Sequence, residues 1–150
     1  MYFHSIAEVL EFARKREEDS ACFYARLREA TPNPALKELL ADMETEERRH
    51  GEILKDLAGK PVGALPVKPV TDLKISDFVV PEPPNPEMSF QDLLVLAARR
   101  EAKAAELYAH LRDHASDPEH KKLFEFLIVQ EKGHKLKLES EYETHVMPED

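Results

Sequence analysis

The sequence predicts an all-α protein, a four-helix bundle made of two repeated helical hairpins joined by a long proline-rich crossover. Three observations predict it. Charged residues make up 34% of the 150 positions and only 4 are glycine, a mix that suits long helices better than a sheet. The stretch SIAEVLEFARKREEDSACFYARLRE from Ser5 aligns without gaps on SFQDLLVLAARREAKAAELYAHLRD from Ser89, an internal repeat with an offset of 84 residues. In each half, apolar residues recur at steps of three and four, the period of a helix with one buried face.

The first helix is expected over about 5–30 and the third over about 89–114. Ser5 and Ser89 can cap the exposed amides of their helices, and each has an acid three positions on, Glu8 and Asp92. The first helix carries Leu10, Ala13, Glu17, Ala21, Tyr24 and Leu27 on one stripe; the third carries Leu94, Ala97, Glu101, Ala105, Tyr108 and Leu111. Turns follow at Thr31-Pro32-Asn33-Pro34 and Ser116-Asp117-Pro118, because proline disfavours extending a helix yet fits the first turn of the next. The second helix, about 34–57, has Leu36, Leu40, Met43, Glu47, His50, Leu54 and Leu57 in line and stops at Gly59-Lys60-Pro61. The fourth, about 118–144, aligns Phe124, Leu127, Glu131, His134 and Leu138.

Residues 59–88 hold seven prolines and cannot be helical throughout. If a pseudo-twofold relates the hairpins, the second and third helices run parallel. The connection must then travel the length of the bundle, roughly 37 Å for helices of about 25 residues. Leu73, Ile75, Phe78, Val79 and Val80 are expected to hold it against the helices, giving one domain over residues 1–150.

Composition excludes several functions. A formal net charge of −9 argues against nucleic acid or an anionic membrane as the main partner. The single cysteine, Cys22, rules out a disulfide within these residues and a cysteine-rich iron or zinc site. No apolar run approaches bilayer length, and the N-terminus lacks a basic start followed by an apolar stretch, so cytoplasmic residence is the default expectation.

Six polar residues interrupt the apolar seams: Glu17, Glu47 and His50, and, 84 positions later, Glu101, Glu131 and His134. Carboxylates facing a core lose their hydration and repel one another, and no comparable set of inward Lys or Arg is present. Two divalent cations would balance the four negative charges. Glu-x-x-His sets its two side chains one turn apart on one face. Only two of the seven histidines have Glu three positions before them, and those two are repeat-related. A lone glutamate on two helices and Glu-x-x-His on the other two is the donor pattern of a dinuclear carboxylate site in a four-helix bundle. Oxygen-plus-imidazole ligation suits iron, manganese or zinc. Glu17 is the expected ligand rather than Glu18, because Glu17 aligns with Glu101 and Glu18 falls with Glu11 and Arg14 on another face.

On these residues the chain resembles the rubrerythrin branch of the ferritin-like superfamily. The resemblance rests on Glu17 with Ala21 and Tyr24, Glu47-Arg48-Arg49-His50, Glu101 with Ala105 and Tyr108, and Glu131-Lys132-Gly133-His134. It implies a ferritin-like bundle with a non-haem diiron centre reacting with hydrogen peroxide or dioxygen. It further implies that Glu47 and Glu131 bridge the metals, that Glu17 and Glu101 are terminal ligands, and that the protein forms a homodimer. Two departures stand out. Full-length rubrerythrins carry a rubredoxin domain with four cysteine ligands; here electrons would come from a separate donor protein. Rubrerythrins also place an additional glutamate one turn from the third-helix ligand, where this chain offers Ala98, Ala104 and Ala105. That puts redox-linked ligand exchange in question.

The expected function is therefore a redox enzyme that reduces peroxide or dioxygen at two metal ions, of peroxidase or ferroxidase type, with iron as the expected metal. An oxygenase acting on an organic substrate and a non-enzymatic, metal-stapled binding module remain as alternatives. Tyr24 and Tyr108, two turns from Glu17 and Glu101, are expected either to hydrogen-bond beside the ligands or to pack the core. His110 and His114 lie off the ligand stripe and read as a solvated face; His4 and His145 carry no signal. Cys22 is expected to be a small packed thiol. The repeated pairs Arg16/Arg100 and Arg28/Arg112 are expected to form surface ion pairs with neighbouring acids.

Overall fold

The chain folds as four helices in a computed structural model that describes residues 5–58 and 88–146. They are α1 (Ile6–Ala30), α2 (Pro34–Ala58), α3 (Phe90–His114) and α4 (Pro118–Val146). Each start has a local cause. Ser5 and Ser89 accept hydrogen bonds at 3.1 Å from the amides of Glu8 and Asp92. Asn33 Oδ1 accepts from Ala35 and Leu36 ahead of α2, and Asp117 Oδ1 from Glu119 ahead of α4. Pro34 and Pro118 occupy the first helical positions, where no amide partner is needed.

Within each half the helices form a tight hairpin, α1 on α2 and α3 on α4, and the hairpins meet through α1 and α3. Side-chain contacts set the directions. Tyr24 reaches Glu101 while Tyr108 reaches Glu17, so α1 and α3 run antiparallel. His50 meets Glu131 while Glu47 meets His134, so α2 and α4 do too. Hence α2 and α3 run parallel, and the end of one lies at the opposite end of the bundle from the start of the other. The expected crossover and its anchors Leu73, Ile75, Phe78, Val79 and Val80 fall on residues 59–87, outside the described residues.

The buried residues form two apolar clusters. One includes Leu10, Leu54, Leu111, Phe124 and Leu127; the other includes Leu27, Leu36, Leu40, Met43, Leu94 and Leu138. Every apolar residue of the stripes read from the sequence is buried. The outer faces are polar and carry ion pairs, Arg28 to Glu44 at 2.8 Å and Arg112 to Glu125 at 2.6 Å among them. Helix α4 departs from this rule, exposing Phe126, Val129 and Leu136. Among the described residues, no helix is long and apolar enough to cross a membrane.

Two expectations are corrected. Cys22 is exposed rather than packed; its position falls on the outward face of α1, where its neighbour is Arg48 of α2. Arg16 and Arg100 are not surface ion pairs. Arg16 donates to the backbone carbonyl of Arg100 at 2.7 Å, and the Arg100 guanidinium lies over the Phe23 ring, 5.4 Å from its centroid. The α1–α3 contact draws both arginines in from solvent, while Arg28 and Arg112 stay on the hairpin edges with their acids.

Candidate metal centre

The middle of the bundle is polar. Glu17 (α1), Glu47 and His50 (α2), Glu101 (α3), and Glu131 and His134 (α4) are each 1–2% exposed. They lie there because each continues an apolar seam: Glu17 stands between Ala13 and Ala21, and Glu101 between Ala97 and Ala105, all buried. Glu18, one position on, is exposed and pairs with Arg14 on the outer face.

Their donor atoms converge as two sets. Glu17, Glu47, His50 and Glu131 offer atoms that all lie within 4.8 Å of one another, and so do Glu47, Glu101, Glu131 and His134. Glu47 and Glu131 belong to both sets. His50 turns Nδ1 toward Glu131 Oε1 at 3.0 Å and Glu17 Oε2 at 3.6 Å. His134 turns Nδ1 toward Glu47 Oε1 at 2.6 Å and Glu101 Oε2 at 3.7 Å.

Hydrogen bonds do not satisfy this cluster. Glu17 Oε2, Glu47 Oε1, Glu101 Oε2 and His134 Nδ1 are buried without a hydrogen-bond partner. His134 Nδ1 and Glu47 Oε1 are close yet not aligned for a hydrogen bond, as expected of lone pairs directed at a shared cation. Unpaired buried acceptors cost on the order of 1–3 kcal/mol each, more when charged. Cations bound by both sets would remove that cost, so the residues present fit a pair of metal ions.

The remaining carboxylate oxygens are held from across the bundle. Tyr24 donates to Glu101 Oε1, and Tyr108 donates to Glu17 Oε1. Each tyrosine serves the carboxylate of the other hairpin, because α1 and α3 are antiparallel. Of the two roles the sequence left open, the structure places both hydroxyls on the candidate ligands. Burial, then the surrounding carboxylates, pushes both phenols well above their usual value, so they remain donors.

Without bound cations the acids must share protons. Burial, followed by repulsion from Glu101 and Glu17, raises Glu47 and Glu131 well above the carboxylate range. Glu17 is also buried, but its close neighbours Glu47 and His50 and the hydroxyl of Tyr108 outweigh burial and hold it low. Burial would lower His134; the neighbouring Glu101 and Glu46 carboxylates, the latter hydrogen-bonded to Nε2, raise it instead.

Glu46 is the residue the sequence reading missed. Its Oε2 lies 2.5 Å from His134 Nε2, on the ring edge away from the cluster, and the carboxylate side chain is 30% exposed. His110 and His114 stack on one another at 6.4 Å, and His114 Nδ1 bonds the His110 carbonyl; neither belongs to the donor sets.

The rubrerythrin family model matches residues 8–142. The chain belongs to the rubrerythrin family. Two solved structures share its fold. A hypothetical protein from Pyrococcus furiosus is 30% identical with a TM-score of 0.72, over 93% of this chain and 89% of its own. A Thermotoga maritima protein, provisionally described as a ferritin-like diiron-carboxylate protein, is 22% identical with a TM-score of 0.75, over 93% and 95%. No curated protein matches the chain.

Proposed function

We propose that this rubrerythrin-family protein holds two iron ions and reduces hydrogen peroxide with electrons from a separate donor. The observation that carries the reading is the pair of donor sets sharing Glu47 and Glu131. Two cations held through common carboxylates sit close enough to act on one small molecule. Family membership and the description of the Thermotoga maritima protein favour iron over zinc or manganese.

Two ferrous ions would supply the two electrons that, with two protons, convert hydrogen peroxide to two waters. The chain's residues do the rest. Glu47 and Glu131, common to both donor sets, would hold both ions, and Glu17 with His50 and Glu101 with His134 would complete one set each. Tyr24 and Tyr108 fix the Glu101 and Glu17 carboxylates, so the terminal ligands keep their orientation when the charge of the site changes. The two apolar clusters exclude water from either side. The electrons are proposed to come from a site other than these 150 residues, whose one cysteine is too few for a four-cysteine iron centre.

Anaerobic Fe(II) titration followed by peroxide tests the reading. Two irons per chain and oxidation faster than that of free iron are expected. Two bound irons that peroxide oxidises no faster than free Fe(II) would defeat the peroxidase reading, and fewer than two would defeat the dinuclear one.

A further inference from the structure

We propose that the two metal positions are chemically unequal, and that Glu46 is the positioning residue that makes the His134 side bind its ion more tightly. This rests on the dinuclear reading above. The inner residues repeat at an offset of 84: Glu17/Glu101, Glu47/Glu131, His50/His134 and Tyr24/Tyr108. The outer contact of the histidines breaks that symmetry. Glu46 Oε2 lies 2.5 Å from the Nε2 of His134, while the repeat places Gln130 at the equivalent position for His50. The ring of His50 instead has the Phe126 ring edge-on at 6.1 Å, where the first hairpin has Asp42.

The chemistry follows from which nitrogen faces the site. Nδ1 of each histidine points at the carboxylates, so Nε2 must carry the proton when Nδ1 binds a cation. A carboxylate accepting the Nε2 proton holds the ring in that tautomer, fixes its rotation and enriches Nδ1 in electrons. Such partners raise metal affinity by about 10–100-fold. Gln130, at the repeat-equivalent position beside Glu131, is neutral and brings no negative charge to the His50 side.

The test is a Zn(II) titration in competition with a chromogenic chelator, which needs no turnover. Repulsion between two nearby cations separates the steps even in a symmetric site, so the variants decide. E46Q should weaken the first, tighter step by about 10–100-fold and leave the second nearly unchanged. Q130E should tighten the second step, a gain that a merely structural role for Glu46 would not produce. Constants within twofold of wild type in E46Q, or an unchanged second step in Q130E, overturn the inequality while leaving the dinuclear reading intact. Failure of the wild type to take up two ions would sink that reading itself. If E46Q fails to fold, the second step of Q130E decides alone.

Discussion

The two hairpins are near copies inside and strangers outside. Facing inward, Leu10 matches Leu94, Ala13 matches Ala97, Leu27 matches Leu111 and Leu54 matches Leu138, and the six candidate ligands match one for one. Facing outward, Asp42 stands against Phe126, Thr45 against Val129, Glu52 against Leu136 and Cys22 against Glu106. The difference has a physical cause. A buried carboxylate is tolerable only where partners from the other helices meet it, so a change in one half would strand groups in the other. An exposed position loses little when its residue changes. The molecule therefore keeps twofold symmetry as far out as the ligand cluster and its tyrosines, and loses it one contact further, at Glu46.

The largest test of that symmetry removes a shared ligand. Glu131→Ala and Glu47→Ala each take one donor from both sets. Both should abolish stoichiometric binding of two ions, and to the same degree. Glu17→Ala and Glu101→Ala each damage a single set and should leave about one tightly held ion. Metal analysis per chain after desalting distinguishes these patterns. Two ions retained by Glu131→Ala would remove the bridging role.

Protons give the next largest effect. In the chelated protein Glu47 and Glu131 have raised values, so the stability they contribute is full below the unfolded carboxyl value, about 4.3, and is lost as pH rises through their folded values. His134 is raised as well, so its contribution is present below about 6.5 and lost above its folded value. Glu17 is lowered and acts oppositely, losing its contribution only on acidification below about 4.3. The melting temperature of chelated protein should fall from pH 5 to pH 9. The metal-loaded protein should gain stability over the same range, because ligation needs the deprotonated groups. A chelated protein that becomes more stable toward pH 9 would contradict the raised values.

The tyrosines come third. Tyr24→Phe strips the donor from Glu101, and Tyr108→Phe strips it from Glu17. Each leaves one more buried oxygen unpaired, at about 1–3 kcal/mol. Urea unfolding of the chelated variants should show similar losses, since the two contacts are repeat-related. A loss confined to one variant would mean that the halves differ at the site itself.

These expectations also mark what the sequence reveals. The four-helix fold and the ligand cluster are legible because burial imposes a period on Leu10, Ala13, Glu17 and their counterparts, and because the offset of 84 recurs. The crossing of the tyrosines is not legible. Tyr24 and Glu17 share a helix stripe, whereas the bond from Tyr24 goes to Glu101, a pairing fixed by how α1 and α3 dock. Glu46 was hidden by the very criterion that exposes the ligands, since its counterpart is Gln130 and a search for repeated acids passes over it. Cys22 and Arg16 were misplaced for different reasons. Arg16 borders the seam, where a small rotation of the helix decides between solvent and contact, and a period of 3.6 does not resolve it; Cys22 lies on the outward face, where a small apolar thiol carries no signal for packing or exposure.

The smallest effect concerns the two glycines inside the helices, neither of which is repeated: Gly51 aligns with Lys135, and Gly133 with Arg49. Neither needs its freedom, because no glycine among the described residues has positive φ. A Cβ added at Gly133 would meet nothing within 4 Å, and one at Gly51 would meet only Glu17 Cβ at 3.7 Å, an ordinary contact. Glycine in a helix interior costs about 0.5–1 kcal/mol relative to alanine. Gly133→Ala should therefore raise the melting temperature by about 1–4 °C without changing metal uptake, even though it stands between Glu131 and His134. Gly51→Ala should gain no more, since its Cβ must settle against the backbone end of a ligand side chain. If Gly133→Ala instead weakened metal binding, close approach along that face of α4 would be part of the site, and the outward half of the molecule would be less free to diverge than its sequence implies.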